Sequence, residues 1–369
     1  MHLAEIELRH VALPLIEPWV TATGVMTRRE MVVVRVADDG FEGWGECVAL
    51  NEPGYSDECA AGALEVLDLV IAPIALASGD LTADAVADAL AAITGHRMAK
   101  AAVEMAVLDL EGRRDDRSLA TRLGGTRAMV DAGVAIGLHA TIDELCARVT
   151  RFVAEGYRRV KVKIEHGRDI EWVAAVRAEF PTLALQVDAN GAYELADADH
   201  LTLLDEFGLL LIEQPLADDD LTGHAALAER LATPICLDES LISLDATRHA
   251  LALGACSIVN LKPGRVGGLL EAVRIHDHCR DAAVPLWCGG MLESGIGRAA
   301  NVALASLPGF TLPGDLSASA RFYERDLILE PFTLIDGRLA VPTGAGLGVE
   351  IDRDALDNMT IEARVRRPS

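Results

Sequence analysis

From about residue 131 onward, short apolar runs alternate with amphipathic stretches. The repeat is roughly 25 residues, the size of one strand–helix unit. The apolar runs predict strands over residues 133–138, 160–164, 183–187, 209–212, 234–237, 257–261, 284–287 and 310–312. The intervening stretches 142–155, 169–179, 221–231 and 244–253 suit helices. Eight strands alternating with helices predict an α/β fold, a modified (β/α)₈ or TIM-type barrel. An open doubly wound sheet would need a glycine-rich phosphate turn early in the pattern, and none is there. Gly344, Gly346 and Gly348 fall in the carboxyl-terminal tail and read as a loop.

The first 125 residues have a different pattern. Residues 31–37 read as a strand, followed by the turn signal Asp38-Asp39-Gly40. Residues 60–71 and 97–110 read as helices, the second with Met98, Ala101, Met105 and Leu108 at the spacing of a buried stripe. The expected organisation is an α+β capping domain over 1–125 and the barrel over 126–316. A segment over 317–369 then returns to the cap, with a hairpin turning at Asp336-Gly337 between 332–335 and 339–341.

Half of the 369 residues are hydrophobic, enough for a large core, and the net charge is −24. That charge argues against nucleic acid or an anionic membrane as partner, since both require a basic face. No apolar run approaches the ~20 residues of a membrane span. Met1-His2-Leu3-Ala4-Glu5 lacks the features of a signal peptide. The seven cysteines include no C-x-x-C pair, and Cys236, Cys256 and Cys288 lie in apolar runs. Buried thiols in a reducing cytoplasm are expected. Neither a Cys/His zinc cluster nor a serine with an orienting histidine is found.

Barrel active sites lie at the carboxyl ends of the strands. The second predicted strand carries Lys161-Val162-Lys163, and the next four end in Asp188, Glu213, Asp238 and Lys262. From Lys163 to Lys262 the separations are 25, 25, 25 and 24 residues, so these groups stand at one height around a ring. A lone acidic residue after a strand is ordinarily a helix cap. Three in phase on adjacent strands would repel without a cation, and their oxygens suit a hard divalent ion such as Mg²⁺, with Mn²⁺ or Co²⁺ as substitutes. Lys161 and Lys163 are two residues apart and point to the same face. Their repulsion should depress at least one pKa and supply a base near pH 7. The second and sixth strands of a ring of eight are opposite, so Lys163 and Lys262 should face each other across the site. The arrangement suits removal of a proton alpha to a carboxylate. Mg²⁺ and Lys161 would stabilise the ene-diolate, Lys163 would act as base, and Lys262 would serve the other face.

These segments resemble the enolase superfamily and its muconate lactonizing subgroup. The resemblance runs through Lys161-x-Lys163, Asp188-Ala189-Asn190, Ile212-Glu213-Gln214-Pro215, Leu237-Asp238-Glu239-Ser240 and Asn260-x-Lys262, and through Gly43-Trp44-Gly45-Glu46 in the first domain. It is closest to the o-succinylbenzoate synthase/N-acylamino acid racemase family, through the stretches 260–268, 287–293 and 295–301. It implies a lyase reaction, the syn dehydration that forms o-succinylbenzoate on the way to menaquinone. It also implies an isomerase reaction, racemisation of N-acylated amino acids. The expected ligand is a small carboxylate, and a homo-oligomer is the expected working form. Arg265 resembles members that racemise and is a candidate tuner of Lys262. Candidate substrate contacts are Trp19, Leu50, Tyr55, Ala135, Asn190, Arg265, Gly289, Met291, Glu293 and Phe322.

Mandelate-racemase-like enzymes are disfavoured because Cys288-Gly289-Gly290 stands where they place a histidine. Dipeptide epimerases are disfavoured because Gly314-Asp315-Leu316-Ser317 lacks a second Asp; cycloisomerases stay open. A non-catalytic binding protein is disfavoured by the intact ring. Val20 stands where relatives often have Arg, and Ala135 where some have Ser, which leaves the substrate open.

Overall fold

The computed structural model describes residues 3–21, 24–38, 40–78 and 82–368. Its strands are β1 (Glu5–Thr21), β2 (Gly24–Ala37), β3 (Glu42–Cys47), β4 (Met129–Asp131), β5 (Gly133–Ile136), β6 (Arg159–Lys163) and β7 (Ala184–Asp188). They continue with β8 (Ile212–Glu213), β9 (Ile235–Leu237), β10 (Ile258–Leu261), β11 (Leu286–Cys288), β12 (Arg338–Ala340) and β13 (Thr360–Arg366).

The cap is an antiparallel sheet in the order β13-β1-β2-β3. Alternation along β1 and β2 puts Ile6, Leu8, Val32, Val34 and Val36 in the core. Against this sheet lies the helix Arg97–Arg114, whose Met98, Ala101, Met105 and Leu108 are all buried. The approach is close because β3 carries glycines there. A Cβ on Gly43 would stand 2.1 Å from the Ala106 carbonyl oxygen, and one on Gly45 would stand 2.0 Å from that of Ala102. The helical run Ala60–Ala77 is, contrary to the reading above, long and apolar enough by composition to cross a membrane. Here it packs on the cap, and Asp68 in its middle pairs with Arg364 and Arg366 of β13.

The barrel sheet is parallel in the order β11-β10-β9-β8-β7-β6-β5, so consecutive strands are neighbours. The predicted eighth strand, 310–312, forms no ladder. Single bridges, Leu286 to Phe310 and Ala132 to Gly314, carry the chain across the gap between β11 and the start of β5. Pro308 and Pro313 flank that stretch and have no N–H to donate. The expected tail hairpin is also altered. The turn at Asp336-Gly337 forms through Ile335 and Arg338, but β12 then pairs with β4 instead of with 332–335.

Cap and barrel are fastened at a buried helix start. The Glu46 carboxylate of β3 accepts from the Ser294 hydroxyl, from Ser294 N at 3.2 Å and from Gly297 N at 3.1 Å, at the beginning of the helix Gly295–Ala305. Burial, with the nearby charge of Glu293, pushes the Glu46 carboxyl up from 4.5 to about 7. Its folded-state pKa is thus raised. The stability it contributes is complete below about pH 4.5 and is lost as pH rises through about 7. Glu46→Gln should therefore flatten the fall in unfolding free energy between about pH 5 and pH 8, measured by urea unfolding. A slope equal to that of the wild type would show that Glu46 does not ionise in this range.

Candidate active site

The register of the barrel strands builds the ring. Lys163 is paired with Asp188, and Asp188 with Glu213. Glu213 pairs with Cys236, two residues before Asp238. Lys262 directly follows β10. All these groups are buried except Lys163, whose side chain retains 14% exposure. Backbone at two strand ends takes the left-handed form, at Asn190 (φ 43°) and Gln214 (φ 39°). There Asn190 N donates to Asp188 Oδ1 at 3.0 Å, and Gln214 Oε1 accepts from Asp238 N at 3.0 Å. The Asp188 carboxylate and the Asp238 backbone are thus held by neighbouring residues.

Each ring carboxylate meets a cation of the chain. Lys163 Nζ lies 2.6 Å from Asp188 Oδ2 and also meets Asn190 Oδ1. Lys161 Nζ lies 3.1 Å from Glu213, 3.3 Å from Asp188 and 2.6 Å from Asp315. Lys262 Nζ lies 2.7 Å from Asp238 and 3.1 Å from the Tyr55 hydroxyl, which donates to Asp238 Oδ1 at 2.9 Å. Arg265 also contacts Asp238. Its Nε donates to the Leu241 carbonyl at 2.9 Å.

Electrostatics corrects one expectation. Lys161 is shifted upward, not downward. Burial disfavours its charge, but Asp315, Glu213 and Asp188 outweigh burial and hold its pKa above the usual value. Lys262 is likewise held up, against burial, by Tyr55, Glu239 and Glu213. Burial also opposes ionisation of Asp188, yet Lys163 and Lys161 keep it below the usual carboxylate range. Glu213 and Glu239 are pushed up by burial and by the charge of Asp188.

Among the described residues, no three His, Cys, Asp or Glu side chains are gathered in the spacing of a metal site. The ammonium groups stand against the carboxylates instead. The donor chemistry nonetheless fits a hard divalent cation: Asp188, Glu213 and Asp238 offer carboxylate oxygens from adjacent strands. Among the described residues, the buried Oε2 of neighbouring Glu239 has no hydrogen-bond partner.

Above the ring is a cavity of about 500 Å³. Lys161, Lys163, Lys262 and Asp188 form its floor. Of the candidate substrate contacts, Trp19, Leu50 and Tyr55 line it from the cap, Ala135 and Asn190 from the barrel. Met291 and Glu293 line it after β11, and Phe322 from the segment beyond. Arg265 and Gly289 do not line it. Arg265 lies behind Asp238 and Tyr55. A Cβ on Gly289 would fall 2.6 Å from Lys262 Cε, so this glycine makes room for the lysine stem. Arg29 of β2, wholly buried, donates to the carbonyls of Val48 (2.6 Å), Ala49 (2.7 Å) and Met291 (3.2 Å), tying cap loop to barrel loop.

Asp315 and Glu239 are site residues that sequence reasoning passed over. Asp315 lines the cavity and stands between Lys161 and Arg159 Nη1 (2.5 Å). It stands in the Gly314-Asp315-Leu316-Ser317 stretch after the eighth predicted strand, read above only for its want of a second Asp. Glu239 sits beside Asp238 and accepts from Asn190 Nδ2 at 2.8 Å.

The fold and site define a barrel enzyme with a ring of strand-end carboxylates and lysines beneath a capping domain. Residues 3–124 match the family model for the mandelate racemase/muconate lactonizing enzyme amino-terminal domain, and 144–355 the enolase carboxyl-terminal domain-like model. The chain belongs to this enolase-superfamily family, whose members generally use a divalent metal and act on small carboxylates. It is 54% identical to an N-succinylamino acid racemase of Amycolatopsis sp over 98% of each chain. It is 47% identical to an o-succinylbenzoate synthase of Geobacillus stearothermophilus, over 97% of this chain and 96% of that one. A solved enolase-superfamily structure from Listeria innocua superposes with a TM-score of 0.96 at 38% identity, covering 100% of this chain and 99% of that one.

Removing the shared carboxylate should leave buried Arg159 without its ion pair and Lys161 with only Glu213 and Asp188. Asp315→Ala is expected to cost about 3–5 kcal/mol of stability, read by denaturant unfolding. A loss below about 1 kcal/mol would mean that Asp315 is not the group that neutralises this pair.

Proposed function

We propose that this chain is an o-succinylbenzoate synthase that also racemises N-acylamino acids, with Lys163, Lys262 and Lys161 as its catalytic groups. The observation that carries the reading is that Lys163 and Lys262, four strands apart in the barrel order, line one cavity. A carbon acid held between them presents one face to each. Residues 126–316 supply the ring. The cap, 1–125, and the segment 317–369 supply walls through Trp19, Leu50, Tyr55 and Phe322. A reducing cytoplasmic setting fits seven cysteines that are all free thiols.

In the dehydration, Lys163 takes the proton alpha to the carboxylate of 2-succinyl-6-hydroxy-2,4-cyclohexadiene-1-carboxylate, and the C–H electron pair moves toward the carboxylate. The hydroxyl on the adjacent carbon then leaves from the same face with the proton Lys163 has taken, giving water and an aromatic ring. Lys262 stays protonated and faces the anionic intermediate. In racemisation Lys163 and Lys262 exchange roles: one removes the alpha proton and the other returns a proton to the opposite face. Lys161, kept charged by Asp315, Glu213 and Asp188, places a fixed positive charge where negative charge develops. Asp188, Glu213 and Asp238 would hold Mg²⁺, which when bound stabilises negative charge on the substrate carboxylate. A second reading, a dedicated N-succinylamino acid racemase, is favoured by the 54% identity to the Amycolatopsis protein.

Lys262→Ala should abolish racemisation and cut deuterium exchange from one enantiomer of N-succinylphenylalanine about 10²–10⁴-fold. Exchange from the other enantiomer and a reduced dehydration should persist. Wild-type exchange rates for both enantiomers would sink the two-base scheme. Chelation should remove both activities and Mg²⁺ restore them, with a higher thermal transition in excess Mg²⁺. Undiminished turnover after exhaustive chelation would refute the metal assignment.

A further inference from the structure

One wall of the cavity is assembled from three separate parts of the chain: Trp19 at the end of β1, Ala135 in β5 and Phe322 beyond the barrel. Backbone bonds join them loosely. Leu138 N donates to the Val20 carbonyl at 3.2 Å, and Ile16 N to that of Phe322 at 2.9 Å. The Trp19 and Phe322 rings meet edge to face with centroids 6.0 Å apart.

Arg321 lies behind this wall. Its guanidinium carbon stands 5.6 Å from the Trp19 ring, 4.9 Å from Phe322 and 4.8 Å from Phe152 of the helix Ile142–Ala154. Nη2 donates to the Ala135 carbonyl at 3.2 Å, and among the described residues Nε is buried without a hydrogen-bond partner. Among the described residues no carboxylate lies within ion-pair distance of it; Glu17 pairs with Arg148 and Arg151. Burial, helped by the charge of Arg148, pushes the Arg321 pKa down to about 10, so it stays cationic at neutral pH. A guanidinium largely withdrawn from water without a carboxylate is costly, and the Ala135 carbonyl and the ring faces compensate it.

We infer that Arg321 is a positioning residue that sets specificity: its guanidinium pins Trp19 and Phe322 against Ala135 and so fixes the width of the wall that grips an apolar substituent of the substrate. Arg321 does not line the cavity and acts only through the rings. The inference rests on the carbon-acid reading proposed above. The lysine ring does the chemistry, and the aromatic wall binds the part of the substrate remote from the reacting carbon. Loss of the pin should therefore weaken binding of a large apolar side chain and leave the chemical step and small substrates nearly unchanged.

The test compares N-succinylphenylalanine with N-succinylalanine in Arg321→Met and Arg321→Lys. Arg321→Met should raise KM for the phenylalanine substrate about tenfold and for the alanine substrate less than about twofold, with kcat within about twofold. Arg321→Lys, which keeps the charge but not the planar group, should recover part of the difference. Acrylamide quenching of Trp19 fluorescence, isolated by subtracting a Trp19→Phe control, should increase in Arg321→Met. An unchanged KM ratio between the two substrates, or unchanged Trp19 quenching, would overturn the inference. A merely structural role would lower the thermal transition and leave the KM ratio alone. If Arg321→Met does not fold, Arg321→Lys against wild type makes the same comparison. If the wild type acts on neither substrate, the racemase part of that reading fails, while the quenching result still decides whether Arg321 holds the wall.

Discussion

Mutual neutralisation of charge inside one end of the barrel is the constraint on which the rest of this structure depends. Asp188, Glu213, Asp238, Glu239 and Asp315 are gathered there with Arg159, Lys161, Lys163, Lys262 and Arg265. A single unpaired charge in that position would cost several kcal/mol. The arrangement is therefore interleaved, with lysines between carboxylates. Lys161 touches three acids and holds its proton firmly. Lys163 reaches the most exposed position of the three lysines, where a substrate can meet it.

The same constraint explains the cap. A charged floor open to water would have its field screened, and the cap covers it with Trp19, Leu50 and Tyr55. The cap is held to the barrel by directional polar contacts instead of by apolar area alone. Glu46 accepts from the start of a barrel helix, Glu104 accepts from Leu270 N at 3.0 Å, and Arg29 bridges loops of both parts. Tyr55 belongs to the cap, yet its hydroxyl bonds Asp238 and Lys262 of the ring. Cover and chemistry are thus linked through one side chain, so displacement of the cap would disturb a ring lysine directly.

Much of the barrel was legible along the chain because its units are local. Strand and helix periodicities repeat within about 25 residues, and the spacing from Lys163 through Asp188 to Glu213 carries directly into register pairing, while Asp238 stands two residues beyond the partner of Glu213. Legibility failed where long-range pairing decides. β13 was not predicted, since its partner β1 lies at the other end of the chain; β1 was missed as well, although it forms a hairpin with the adjacent β2. The turn at Asp336-Gly337 was readable, but the partner of its second arm, β4, lies some two hundred residues earlier. The eighth strand was read as an equal of the other seven because its apolar residues are right; the flanking prolines leave it with single bridges only.

By itself the sequence determined which residues end adjacent strands and their order around the barrel, because side-chain alternation and one strand–helix unit per step are properties of neighbouring residues. Only the tertiary structure decided what each of those groups touches. Asp315 reaches Lys161 and Arg159 across more than 150 residues, Glu46 reaches Ser294 across 248, and Arg321 reaches Ala135 across 186. Those contacts set the charge of Lys161, the seat of the cap and the wall of the cavity. They arise from how distant segments pack, a relation that no local pattern along the chain encodes.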